Sequence, residues 1–130
     1  MAAKILLIDD DPALLSLMAM ALKHAGYVIE TAADGLQGVQ KLDRYDPDLV
    51  ITDIVMPAME GIGAIREIRK RRLAHPPKVI AISGAPSTST AKYLEWAKHL
   101  GADEVLAKPF RMAELIELSA NVIASRPAAA

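Results

Sequence analysis

The chain has 130 residues, 52% hydrophobic and 4% aromatic, with a formal net charge of −1 and no cysteine. That length suits one domain of about 100–150 residues with a full core. The charge leaves no global basic field of the kind nucleic-acid binders carry, and the missing cysteines exclude disulfides, thiolate zinc sites and cysteine nucleophiles.

No apolar run approaches the roughly 20 residues of a membrane span, and MAAKILLI meets Asp9 too soon for a signal peptide. No membrane association and a cytoplasmic location are therefore expected.

Apolar runs and amphipathic stretches alternate five times. Ile5–Ile8 is continuously apolar, as expected of a strand buried on both faces. It runs into Asp9, Asp10 and Asp11, and carboxylates repel by roughly 4 kcal/mol at 4 Å and an effective dielectric near 20. Pro12 suits the first turn of a helix, with Asp11 as its cap. Leu14, Leu17, Met18, Ala21 and Leu22 repeat at helical spacing, and Gly26 supplies a stop.

Tyr27–Thr31 reads as a second strand, and Asp34 opens a second helix with apolar positions Leu36, Val39 and Leu42. After Asp46-Pro47 a third strand, DLVITD, again ends on an acid, Asp53. A helix through Ile62, Ile65 and Ile68 ends in RKRR (Arg69–Arg72), which reads as a solvated helix end favoured by the negative end of the dipole. KVIAIS is the fourth strand. A Gly-, Ser-, Thr- and Pro-rich loop leads to a helix around Tyr93–Leu100, with core stripe Leu94, Ala97 and Leu100. DEVLAK is the fifth strand, and a helix from about Arg111 to Ala124 closes a single domain over residues 1–124. Residues 125–130 read as a short disordered tail.

Alternating β and α elements with short connections predict an α/β fold: a doubly wound parallel sheet with helices on both faces. In such sheets ligands bind beyond the carboxyl ends of the strands. Those ends offer Asp9 and Asp10, then Asp53, then Ser83, then Lys108. Three carboxylates at one rim form a hard-oxygen pocket suited to Mg²⁺. One carboxylate oxygen becomes a plausible nucleophile towards phosphorus, with Lys108 supplying a compact cation and Ser83 a hydroxyl donor. The pattern is that of a site that accepts a phosphoryl group.

The ordered pieces LLIDDD, PDLVITDIVMPAMEG, VIAISG and GADEVLAKPF resemble the receiver domain of response regulators in two-component signalling, of the chemotaxis-regulator-like kind. The resemblance runs from about Lys4 to Ile123. It implies a flavodoxin-like five-stranded sheet of order 2-1-3-4-5, with Asp53 as phosphoacceptor. Asp10 would ligate Mg²⁺ directly, Asp9 mainly through water, and Val55 by its backbone carbonyl. Ser83 would take the place of the switch Ser/Thr and Lys108 that of the family's lysine, before a Lys108–Pro109 bond that is usually cis.

Val105 stands where many receivers carry a switch aromatic, so movement of the Ser83–Thr90 loop is expected to report activation instead. Val55 and Ala85 are apolar where polar groups would orient an attacking water, which predicts slow intrinsic dephosphorylation. Tyr93 and Trp96, one turn apart, border the core on the ordinary reading or else mark a partner face, where exposed aromatics are favoured; the resemblance adds weight to the second.

The resulting expectation is a phosphorelay signalling domain that assists only its own phosphoryl transfer and dephosphorylation. Its expected donor is a sensor histidine kinase or phosphotransfer protein, and its output a downstream protein with no direct nucleic-acid contact. A dimer formed on phosphorylation is a further expectation. No effector segment follows Ile123, so the chain reads either as stand-alone or as a piece of a longer regulator. Two alternatives are an aspartyl-nucleophile phosphatase-like hydrolase and a receiver-like module that binds without phosphorylation. The first usually places its nucleophile on strand one before a small polar turn, which IDDDPALL lacks.

Overall fold

The structure is a computed structural model describing residues 2–53, 60–70, 76–84, 95, 98, 99 and 101–125. The elements run β1 (Lys4–Ile8), α1 (Pro12–His24), β2 (Val28–Ala32), α2 (Gly35–Tyr45), β3 (Leu49–Asp53), α3 (Glu60–Lys70), β4 (Lys78–Ser83), β5 (Glu104–Ala107) and α4 (Met112–Ala124). Glu95, Lys98 and His99 are also helical, in the stretch where the sequence predicts a helix.

The apolar runs become strands because each residue finds a helix-covered face on one side or the other. Ile5–Ile8 and Leu49–Asp53 are buried throughout. All strand pairs are parallel and the order is β2-β1-β3-β4-β5. Alternate residues separate onto two layers. Leu6, Ile8, Val50, Val79 and Ala81 pack with Leu42, Ala64, Ile65 and Ile68 of α2 and α3. Ile5, Leu7, Leu49, Ile51, Ile80 and Ile82 pack with Met18 and Leu22 of α1 and Leu115 and Val122 of α4. The sheet is thus covered on both faces, as the alternation of elements predicts.

Local chemistry sets the helix limits. Asp11 Oδ1 accepts from the N–H groups of Ala13 and Leu14, and Pro12 follows directly. At the far end of α1, Gly26 takes φ 104°, Gly26 N–H donates to the Lys23 carbonyl and Tyr27 N–H to that of Leu22. This 6→1 and 5→2 pattern closes a helix around a left-handed glycine. Asp34 caps α2 through a 2.8 Å bond from Gln37 N–H. Ser125 is the C-cap of α4, its N–H donating to the Asn121 and Val122 carbonyls; residues 126–130 lie outside the described residues.

Two apolar positions depart from the helical spacing. Leu17 is 53% and Leu36 67% exposed, so neither gains the roughly 1.5–3 kcal/mol of a buried leucine. Leu15 packs partly against the α1 core in place of Leu17.

RKRR also differs from expectation, because Arg69 is not simply solvated. Its guanidinium donates to the carbonyls of Gly101 (Nε 2.8 Å, Nη2 2.6 Å) and Pro77 (3.2 Å) and to Asp103 Oδ2 (2.8 Å). Asp103 Oδ2 also accepts from Val79 N–H at 2.7 Å. The planar fork of arginine suits such multiple acceptance, and it ties α3 to the entries of β4 and β5. Arg71 and Arg72 lie outside the described residues.

Candidate functional site

The carboxyl ends of β1, β3, β4 and β5 bring the predicted residues to one rim. Asp9 follows β1 and is buried; its Oδ1 accepts a 2.8 Å bond from Asp11 N–H. Asp10 is exposed. Asp53, the last residue of β3, is buried and receives a 2.7 Å hydrogen bond from Lys108 Nζ. One carboxylate oxygen from each of Asp9, Asp10 and Asp53 lies within 4.8 Å of the others.

The electrostatics are unbalanced in a particular way. Burial is the largest influence on Asp9 and pushes its carboxyl above the ordinary carboxylate value; the Asp11 N–H opposes this, and the Asp53 charge adds to it. Burial would lower Lys108, but its hydrogen bond to Asp53 and the charges of Asp53, Asp9 and Asp11 outweigh that and hold the ammonium above its ordinary value. One cation therefore faces an acidic group that exceeds it in charge.

Asp9 Oδ2 is buried and has no hydrogen-bond partner among the described residues. A buried carboxylate oxygen left unpaired is costly, and here it sits in an all-oxygen cluster. A hard divalent cation such as Mg²⁺ fits that donor set.

Ser83 is buried at the end of β4, next in the chain to Ile82, the register partner of Asp53, and its carbonyl accepts a 2.7 Å bond from Lys108 N–H. The Lys108–Pro109 bond is cis, the isomer the resemblance implies. Val105 packs partly buried against the α2/α3 core. Val55, Tyr93 and Trp96, with most of the Ser83–Thr90 loop, lie outside the described residues.

Two contributors escape the sequence reading. Asp11 caps α1 with its side chain, as predicted, while its backbone N–H orients Asp9; no residue type signals that second role. A Cβ on Gly84 would stand 3.5 Å from Lys108 Cδ, so the lysine stem passes alongside this glycine.

The sequence model of the family described as "Response regulator receiver domain" matches residues 5–120. The chain belongs to the response-regulator receiver family. Among curated relatives, this receiver is 31% identical over 113 residues to the transcriptional regulatory protein TrcR of Mycobacterium tuberculosis, covering 87% of the chain and 42% of TrcR. It is 38% identical over 114 residues to the CpxR homolog of Haemophilus influenzae, covering 88% and 47%. Among solved structures, the chemotaxis response regulator CheY4 of Vibrio cholerae superposes with a TM-score of 0.84 at 28% identity, covering 94% of this chain and 99% of that one. The receiver spans less than half the length of those curated relatives. Its sheet order and acidic cluster are those expected of a phosphoacceptor domain in two-component signalling.

Proposed function

We propose that Asp53 is the phosphoacceptor and that its occupancy switches a protein-binding surface. In the transfer step a carboxylate oxygen of Asp53 attacks phosphorus. The bond from phosphorus to the donor's histidine nitrogen breaks, the imidazole keeps the electron pair, and an acyl phosphate forms on Asp53. Lys108, already at hydrogen-bond distance from Asp53, donates to a phosphoryl oxygen, and Ser83 provides a hydroxyl at the neighbouring strand end. Asp9, Asp10 and Asp53, with the Val55 carbonyl, would hold Mg²⁺, which when bound supplies positive charge against the carboxylates and the phosphoryl oxygens.

The donor is a sensor histidine kinase or phosphotransfer protein, and the output is a shift in the population of a surface that a downstream protein reads. A cytoplasmic location, a domain extending through residue 124 and a partner face carrying Tyr93 and Trp96 belong to the same proposal. No helix among the described residues is long and apolar enough to cross a membrane.

The observation that carries this reading is the convergence of three carboxylates with Lys108 Nζ at 2.7 Å from Asp53. Wild type and Asp53→Asn are incubated with acetyl phosphate and Mg²⁺ and the intact proteins are weighed. Wild type gains the mass of one phosphoryl group and the variant does not. Absence of the adduct on wild type, or an equal adduct on the variant, overturns the assignment.

A further inference from the structure

β2 is an outer strand of the sheet, whose one strand partner among the described residues is β1. Such an edge presents backbone N–H and C=O groups on which another strand can form. Val28 N–H donates to the Ala3 carbonyl and the Ala32 carbonyl accepts from Asp9 N–H, so these two residues face β1. Groups facing one neighbour alternate along a parallel strand, and the backbones of Ile29 and Thr31 therefore face outwards.

Both outward groups of Thr31 are taken by side chains. Glu30 Oε1 accepts from Thr31 N–H at 3.1 Å, and Lys41 Nζ, from α2, donates to the Thr31 carbonyl at 2.5 Å. Lys41 Nζ also pairs with Glu30 Oε1 at 3.1 Å, so the two side chains form one closed bracket around the backbone of a single residue, Thr31. On either side of the strand a groove remains open. One, of about 290 Å³, is lined by Glu30, Lys41, Arg44 and Tyr45. The other, of about 470 Å³, is lined by residues including Met20 and Thr31. Val28, at the start of the strand, is 46% exposed and Met20 68%. Room for an arriving strand's side chains is thus present, together with apolar surface, while the hydrogen-bonding groups in the second half of the edge are already occupied.

We propose that the Glu30–Lys41 bracket is an edge guard that keeps β2 from pairing with β2 of a second copy of this chain. The excluded partner is specific: the same edge on two chains can meet antiparallel about a two-fold axis, an isologous contact that closes on itself. Side-chain capping and charge at a sheet edge are recognised ways of preventing such pairing.

The test measures the mass in solution and the amide exchange of the unphosphorylated protein across a concentration series. Wild type and Lys41→Arg stay at the 14.0 kDa monomer mass. The Glu30→Ala/Lys41→Ala variant moves towards twice that mass, and its Ile29 and Thr31 amides gain at least about tenfold protection with concentration. Adding Thr31→Pro to that variant removes an outward donor without touching the β1 ladder and returns the monomer. A folded double variant that stays monomeric overturns the proposal. So does association that survives Thr31→Pro, or wild type that already pairs through β2. Should the double variant not fold by circular dichroism, Lys41→Met alone, which frees only the Thr31 carbonyl, carries the same two outcomes.

Discussion

Lys108 Nζ and Asp53 Oδ2 stand 2.7 Å apart although their strands, β5 and β3, are separated in the sheet by β4. The lysine spans that strand from above its carboxyl end, held at its own backbone by the Ser83 carbonyl. Its positive charge is thereby delivered to the acidic rim from β5, an edge strand whose neighbour among the described strands is β4.

Lys108→Met should slow phosphorylation by acetyl phosphate by about 10²-fold, in the range of losing one preorganised electrostatic donor. Its effect on folding should depend on pH. The folded ammonium is held above its ordinary value of 10.5, so the stability it contributes is fully present below that value and is lost as pH rises through the folded one. The gap in stability between wild type and Lys108→Met should therefore be constant near neutrality and narrow in alkali. Denaturant unfolding across an alkaline series measures it, and a gap that widens with pH would contradict the pairing.

Asp9→Asn should stabilise the protein in the absence of metal. Burial chiefly, and the Asp53 charge in addition, raise the Asp9 carboxyl, so the folded state disfavours its charged form. Stability then falls as pH rises from the ordinary 3.8 through the raised value. At neutral pH the neutral side chain should recover on the order of 1 kcal/mol, less than the bare Coulomb repulsion between neighbouring carboxylates. Mg²⁺ should raise the Tm of wild type and leave that of the variant nearly unchanged. Thermal unfolding with and without Mg²⁺ checks both signs.

Ser119→Ala should also stabilise. Ser119 lies fully buried in α4 and its Oγ has no hydrogen-bond partner among the described residues. Removing an unpaired buried hydroxyl from a helix interior should gain about 1 kcal/mol, read as a shift in denaturant midpoint at unchanged slope. A loss of stability would show that the hydroxyl has a partner.

Arg69→Ala should cost about 2–3 kcal/mol, since it leaves the Gly101 and Pro77 carbonyls without their charged donor and takes from Asp103 the nearer of its two cations, the other, Lys78 Nζ, standing 3.7 Å away. Gly101→Ala should be costly for two reasons: φ is 118°, and the new Cβ would stand 2.7 Å from Arg69 Cγ. Only the second disappears when Arg69 is shortened. The Arg69→Ala/Gly101→Ala protein should therefore be less destabilised than the sum of its parts, and a double-mutant cycle gives the coupling. Strict additivity would mean that the stem and the glycine do not share space.

The strands and the rim were legible because their signals are local. An apolar run such as Ile5–Ile8 admits few readings, and an acid or lysine at its end can point only beyond the sheet. Asp11 and Asp34 were legible as caps for the same reason. Leu17 and Leu36 were not placed by spacing, because periodicity marks a stripe and not which margin of it meets the sheet. Arg69 was misread because a cation at a helix end looks the same whether it meets water or folds back onto carbonyls. Its acceptors at Gly101 and Pro77 are main-chain atoms and leave no mark in residue type. The orienting bond from Asp11 N–H to Asp9 was hidden for that reason too.

That last bond has an awkward implication for mutagenesis. The amide that steadies Asp9 is present in every amino acid except proline, so replacing Asp11 by alanine deletes the cap and leaves the tie intact. A side-chain scan would score position 11 by its helix alone. What the site requires there is a place along the main chain, kept by the turn from β1 into α1, and an alphabet of side chains cannot spell it.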